Sequence, residues 1–389
     1  MTELSEEDVP RRVVVLGRTQ SRFAEAVVRT IARALAGEQG DESTAAPAAA
    51  TQDGRTPQMQ GVLQMADAVV ALDPGSLEHA RSVGVEVVVA VLPGLDIAWA
   101  EGIANSDAIA VAHPLLAEEV IRRGAPRGRV VVTGIVPPAG YAAPTDRAEL
   151  RERFEIPDGS RVVLVPIAAL DDEDFAPLLV QLSLVDGLVT VLFDVGDEPD
   201  VAEMLRRSVP GHGLDARMFA DGPDAAELWQ LADVVLARAR GPEAVRALAV
   251  GAPVLVLARG RAEEIATQVL VTTGAGVVVE ALATLAVVVD AALEPATLAK
   301  RRAAVGALDL ERAPERLARC VQEAWRRRRD ALGPSLKGLP AGLERIADEP
   351  GATGGRGSRV PTVPPGPAAR EDDMEKRIDA ELEALKKRL

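Results

Sequence analysis

The chain alternates between short β-branched apolar runs and longer stretches in which apolar residues recur every three or four positions. Runs at 12–16 (RVVVL), 68–72, 85–91, 108–111 and 129–133 are too short for helices and apolar on both faces, the pattern of parallel strands covered by helices. Segments 21–35 and 115–123 carry helical spacing between them. After a Pro/Gly-rich stretch at 134–145 (GIVPPAGYAAPT), which has no sustained period and reads as a hinge, the alternation resumes. A helix at 147–154 and a strand at 161–166 are followed by strands at 189–194, 216–219, 234–236, 254–257 and 276–280. Helices at 201–208, 225–231, 263–272 and 285–293 lie between them. This order predicts an α/β protein of two Rossmann-like domains, 1–140 and 141–335, facing across a cleft at the carboxyl ends of their strands. Residues 37–58 are small, polar and rich in breakers, so a mobile loop is expected there.

The pattern changes beyond residue 335. Residues 336–371 form a linker whose core, GATGGRGSRVPTVPPGPAA, is dominated by Pro and Gly. Residues 372–389 then regain a helical stripe of Met374, Ile378, Leu382, Leu385 and Leu389, with Glu375, Lys376, Glu383, Lys386 and Lys387 facing elsewhere. An isolated helix of this length is marginal in water, so the stripe is expected to dock on a protein partner, to self-associate as a short coiled coil, or to fold back on its own body.

With 389 residues, 48% of them hydrophobic, the chain can fill two cores. A net charge of −15 argues against a general nucleic-acid binder, which must neutralise phosphates. One cysteine, Cys320, excludes an intrachain disulfide, and no Cys/His grouping suits zinc. The acidic start, MTELSEEDVP, lacks the layout of a secretory signal, and no apolar run reaches membrane-spanning length, so a cytoplasmic protein is expected. The basic run at 326–329 beside Trp325 is a candidate for peripheral contact with anionic lipid. The competing reading is a helix whose last turn is basic because its dipole favours cations there.

Three stretches carry a more specific resemblance. They are the run from Ala80 to Val165 (with VEVVVAVLPGLDIAW, SDAIAVAHPLLAEEVIRRGAP and GRVVVTGIVPPAGY), then DVVLARARGPEAVRALAVGAPVLVL, then EEIATQVLVTTGAGV. Together they resemble the UDP-sugar branch of GT-B glycosyltransferases, which contains the peptidoglycan N-acetylglucosamine transferase and the monogalactosyldiacylglycerol synthases. The resemblance covers roughly residues 60–295 and implies a sugar-nucleotide donor held by the second domain. No other cofactor is implied.

The departures from that family fall where its chemistry is carried. The turn after the first strand, Gly17-Arg18-Thr19-Gln20-Ser21, has one glycine and no histidine, where the relatives have a glycine-rich loop that usually contains one. The first loop of the second domain, PIAALDDED at 166–174, brings four acidic residues toward a place where a diphosphate would be repelled. Asp171, Asp172 and Asp174 have the oxygen chemistry of a magnesium site, against the plainer reading of a solvated acidic loop. In the donor segment, registering on Gly251-Ala252-Pro253 puts Arg240 at a glycine position, Glu243 near a threonine position and Arg246 where a glutamate would hold the ribose. A guanidinium cannot accept hydrogen bonds from hydroxyls. A three-residue slide would let Glu243 take that role.

Arg238, Arg240, Glu243, Arg246 and Gln268 are therefore the candidate donor-binding residues, with the arginines either gripping an anion or paired within the chain. His113 and Asp96 are the candidates for a catalytic base or polar contact, against ordinary roles in capping a helix or turn. Aromatics, only 2% of residues, leave few faces for a sugar or base. Because three loops depart together, the expected function is a pseudo-transferase that works as a scaffold or regulatory subunit through its terminal helix. The alternatives are an active UDP-sugar-dependent glycosyltransferase with non-standard donor contacts and, further off, an epimerase on the same two domains.

Overall fold

The computed structural model describes Pro10, residues 12–17, 22–39, 57–99, 102–141, 146–220, 222, 224–258 and 260–332. Five strands form the first sheet: β1 (Val13–Leu16), β2 (Ala68–Ala71), β3 (Val87–Leu92), β4 (Ala108–Val111) and β5 (Val130–Val132). They pair in the order β1-β2-β3-β4-β5, all parallel. The second sheet contains β6 (Arg161–Pro166), β7 (Val189–Asp194), β8 (Asp215–Phe219), β9 (Val234–Ala237), β10 (Val254–Leu257) and β11 (Gly276–Val279). Its order is β11-β10-β9-β6-β7-β8, again parallel throughout. Most of these strands are buried along their length, as their unbroken Val/Leu/Ile runs require.

Helices cover the sheets. The first lobe carries α1 (Arg22–Gln39), α2 (Pro57–Gln64), α3 (Pro74–Val83) and α4 (Pro114–Arg122). The second lobe carries α5 (Arg147–Arg153), α6 (Phe175–Ser183), α7 (Pro199–Ser208), α8 (Ala225–Gln230), α9 (Pro242–Ala249), α10 (Glu264–Thr272), α11 (Leu285–Leu293) and α12 (Pro295–Gly306). The last described helix, α13 (Ala313–Leu332), returns to the first sheet. Leu317, Val321, Ala324 and Trp325 join Val15, Ile31, Val70 and Val89 in one apolar cluster. Trp325 is thus committed to the core, with Arg329 over its ring, while Arg327 and Arg328 are exposed. Arg316 on this helix donates to the Thr133 carbonyl at 2.7 Å and to Asp309 at 2.8 Å, tying it to the end of β5. At Gly134, φ is +99° and a Cβ would strike Arg316 and Ala313, so only glycine lets α13 lie this close.

The two-sheet architecture is as the hydrophobic pattern predicts, with differences at the edges. The expected loop at 37–58 is narrower, because α1 runs to Gln39 and α2 starts at Pro57, a residue suited to a first helical turn. Its middle, 40–56, lies outside the described residues. Helices α2, α6 and α12 are additional to the sequence reading, and α6 is so apolar that periodicity alone does not mark it. The predicted helix at 372–389 lies outside the described residues. Among the described residues, no single helix is long and apolar enough to cross a membrane.

Candidate functional site

Both sheets present the carboxyl ends of their strands toward one junction. From the first lobe come the segment after β3, with Gly94 and Asp96, and the start of α1 with Phe23. From the second come the ends of β6, β7 and β9 and the amino end of α9. An apolar cluster runs unbroken across this junction, from Leu92, Leu95 and Ile97 to Ala244, Val245 and Leu248. A Cβ at Gly94 would come within 3.1 Å of Val245 Cγ2, so glycine allows the segment after β3 to lie against α9.

Arg246 sits at the centre. Its guanidinium lies 5.7 Å from the Phe23 ring centroid, 5.7 Å from that of Tyr141 and 5.6 Å from that of Trp229. Asp194 Oδ2 is 3.7 Å from its Nη1. Only 12% of the Arg246 side chain is exposed. Asp194, which ends β7, is itself buried, accepts from Trp229 Nε1 at 3.0 Å and takes the Gly196 amide at 3.1 Å. Tyr141 and Trp229 meet edge to face at 6.0 Å. Arg246 is therefore a cation in an aromatic box with one carboxylate wall, and its buried Nε has no hydrogen-bond partner among the described residues.

The neighbouring arginines are also paired within the chain. Arg240 crosses between the lobes, with Nε 3.0 Å and Nη2 2.8 Å from Asp96 Oδ1. That carboxylate also accepts the Ala98 amide at 2.8 Å, which fixes its turn. Arg238 donates from Nε to the Ala169 carbonyl at 3.0 Å and from Nη2 to Asp171 at 2.6 Å. The acidic loop is organised accordingly: Asp171 and Asp174 form a reciprocal capping box ahead of α6, and Asp174 is buried. Among the described residues, no group of three His, Cys, Asp or Glu side chains is placed to hold a metal ion.

Glu243 lies in the first turn of α9 and is 6% exposed. Its carboxylate folds back over Gly241, where any Cβ would collide with Oε2. Burial pushes its pKa above the ordinary value. Its own amide, Arg246 and Arg238 pull the other way, while Asp194 adds to the rise. Glu243 thus occupies the amino end of α9 with a carboxyl group of the protein's own.

The remaining predicted residues stand elsewhere. His113 is the N-cap of α4: Nδ1 accepts the Leu115 amide at 3.2 Å, and partial burial lowers its pKa. Gln268 is exposed on α10, where its carbonyl accepts from Thr272 Oγ1 at 2.7 Å. Of the turn after β1, Gly17 packs against Leu72 and residues 18–21 lie outside the described residues. Phe23, Tyr141, Asp194 and Trp229 are site residues the sequence reading does not name. Asp194 carried a usable signal, since it is a charged residue closing an apolar parallel strand at the end where such folds bind ligands.

Glu243 makes stability depend on pH in a defined direction. A carboxyl whose folded pKa exceeds its unfolded one stabilises the fold fully below the unfolded value, ordinarily 4.5, and this contribution is lost as pH rises through the raised value. Urea denaturation should therefore find Glu243→Gln at least as stable as the parent at neutral pH. The parent's advantage should return only as the pH falls toward that ordinary value.

The comparisons with known proteins agree with this architecture. No protein-family profile matches the chain, and no curated protein is significantly similar to it in sequence. Solved structures do match. A glycosyltransferase from Rickettsia africae superposes with a TM-score of 0.56 at 13% identity, over 81% of this chain and 97% of that one. UDP-GlcNAc 2-epimerase from Neisseria meningitidis, solved with UDP-GlcNAc bound, gives 0.57 at 13% identity over 80% and 99%. Acinetobacter baumannii MurG gives 0.55 at 12% identity over 81% and 100%. The chain has a GT-B glycosyltransferase-like fold.

Proposed function

We propose that this GT-B-fold protein acts by binding a partner and not by transferring a sugar, and that its donor cleft is kept filled by its own side chains. The observation that carries the reading is Arg246, which stands at the register position of the family's ribose-binding glutamate. It is enclosed by Phe23, Tyr141, Trp229 and Asp194. A guanidinium offers no acceptor to ribose hydroxyls, and releasing it would break contacts to both lobes at once. Glu243 supports the same conclusion, because it brings a carboxylate to the helix end that would face a diphosphate. The Arg240–Asp96 pair adds a contact that joins the second lobe to the first.

A protein that has given up donor chemistry can still present surfaces. The apolar stripe of Met374, Ile378, Leu382, Leu385 and Leu389 is the segment best suited to recruit a partner or a second copy, which makes the role that of a scaffold or regulatory subunit.

Thermal denaturation of the full chain with UDP, UDP-glucose and UDP-GlcNAc should show no saturable stabilisation. A saturable shift that Arg240→Ala removes would restore the active-transferase reading. Removing residues 372–389 should leave the unfolding transition in place and lower the particle mass by light scattering, or remove a captured partner. Identical mass and identical partners would refute the role given to the tail.

A further inference from the structure

The opposite end of the second sheet, where its strands begin, holds an arrangement the donor cleft does not use. Asp233 lies just ahead of β9 and is buried. Its Oδ2 accepts the Val162 amide at 2.8 Å, so one oxygen pins β6 to β9. The other oxygen, Oδ1, receives two arginines: Arg147 Nη2 from α5 and Arg302 Nη2 from α12, each at 2.8 Å. The same two nitrogens also donate to backbone carbonyls, Arg147 to Leu231 at 2.6 Å and Arg302 to Ala232 at 3.3 Å. Each guanidinium is thereby held by one corner. Among the described residues, Nε and Nη1 of both arginines have no bonded partner, and the side chains are 33% and 36% exposed. Arg151, one turn along α5, is held in the same way, its Nη2 donating to the carbonyls of Pro157 at 2.7 Å and Ser160 at 2.9 Å.

Charge does not balance here. Arg147 and Arg302 share the one carboxylate of Asp233, and Arg151 is bonded to carbonyls alone, in a chain whose overall charge is −15. Arg161 at the start of β6 adds to the field: after burial, repulsion from Arg147 and then Arg161 are the influences that push the Arg302 pKa down, against the pull of Asp233. Glu149 and Glu152 of α5 are exposed, and Arg153 on that helix is already paired with Glu227. A structural ion pair would need one arginine for Asp233. Here there are two, each anchored at its Nη2, which leaves Nε and Nη1 as charged donors without a partner among the described residues.

We propose that Arg147, Arg302 and Arg151 form a binding site for a phosphate-type oxyanion, remote from the donor cleft and independent of whether that cleft is active. The planar forks supply paired donors for tetrahedral oxygens, the surplus positive charge supplies the attraction, and the backbone anchors remove much of the ordering cost. The phosphate could belong to a soluble molecule or to a lipid headgroup.

The test uses the full chain at low salt, by calorimetry and thermal denaturation with inorganic phosphate and pyrophosphate, and with chloride at matched ionic strength. Phosphate or pyrophosphate should stabilise saturably where chloride does not. Arg302→Gln and Arg151→Gln should each weaken that binding about tenfold, the loss of one charge-assisted contact. Arg151→Gln breaks no carboxylate pair and so guards against a variant that merely unfolds. Sedimentation with phosphatidylglycerol vesicles separates the sources: vesicle binding lost in the same variants assigns a lipid headgroup, and binding of free phosphate without vesicle binding assigns a soluble ligand. No saturable effect of either anion, or an effect unchanged in both variants, would overturn the site and leave an adventitious ion only.

Discussion

A guanidinium removed from water calls for compensation, and Arg246 receives part of it from groups drawn from both lobes and the segment between them, while its Nε is buried without a hydrogen-bond partner. Arg246 of α9 is faced by Phe23 of α1, Tyr141 of the segment between the two sheets, Trp229 of α8 and Asp194 of β7. Each ring contributes on the order of 0.5–2 kcal/mol when desolvated, and the carboxylate offsets part of the remaining desolvation cost. Asp194 in turn needs the Trp229 N–H and the Gly196 amide to be tolerated where it is. The group is mutually dependent, since removing one member leaves another buried without its complement.

The rest of the junction follows from that closure. With Arg246 held between the lobes, α9 lies against the segment after β3, where Gly94 leaves room for Val245, and Arg240 comes within reach of Asp96. Glu243 and Arg238 add further charges met within the chain, Glu243 by its own amide and the nearby Arg246 and Arg238, and Arg238 by Asp171 and the Ala169 carbonyl. The fold is one that in other proteins accommodates UDP-sugars, as the Neisseria meningitidis epimerase solved with UDP-GlcNAc does. The same frame here supports a different set of contacts, which is why fold alone does not carry the function.

Much of the frame was legible in the sequence because strand burial imposes a simple pattern. Runs such as RVVVL and VVVAVL have no use except between covering helices, and GIVPPAGY could hardly be anything but a connection. The oddity of Arg240, Glu243 and Arg246 was legible as well, since each stands at a position with a stated chemical requirement. Their partners were not. Nothing local in the sequence says that Phe23 and Tyr141 face Arg246, or that Asp96 meets Arg240, because those contacts exist only once two sheets are docked. Helix α6 was hidden for a different reason: its residues are apolar on nearly every side, so periodicity has nothing to report. The acidic run at 171–174 was misleading in isolation, because two of its members serve as a helix cap.

The central claim is that the chain's own side chains occupy the place of a sugar nucleotide. The most direct measurement is a crystal structure of the full chain grown with UDP-GlcNAc at saturating concentration. The account predicts Arg246 inside its aromatic box, the Arg240–Asp96 pair intact and no nucleotide at the carboxyl ends of β7 and β9. A nucleotide bound there, with Arg246 or Arg240 swung aside to receive it, would contradict the account.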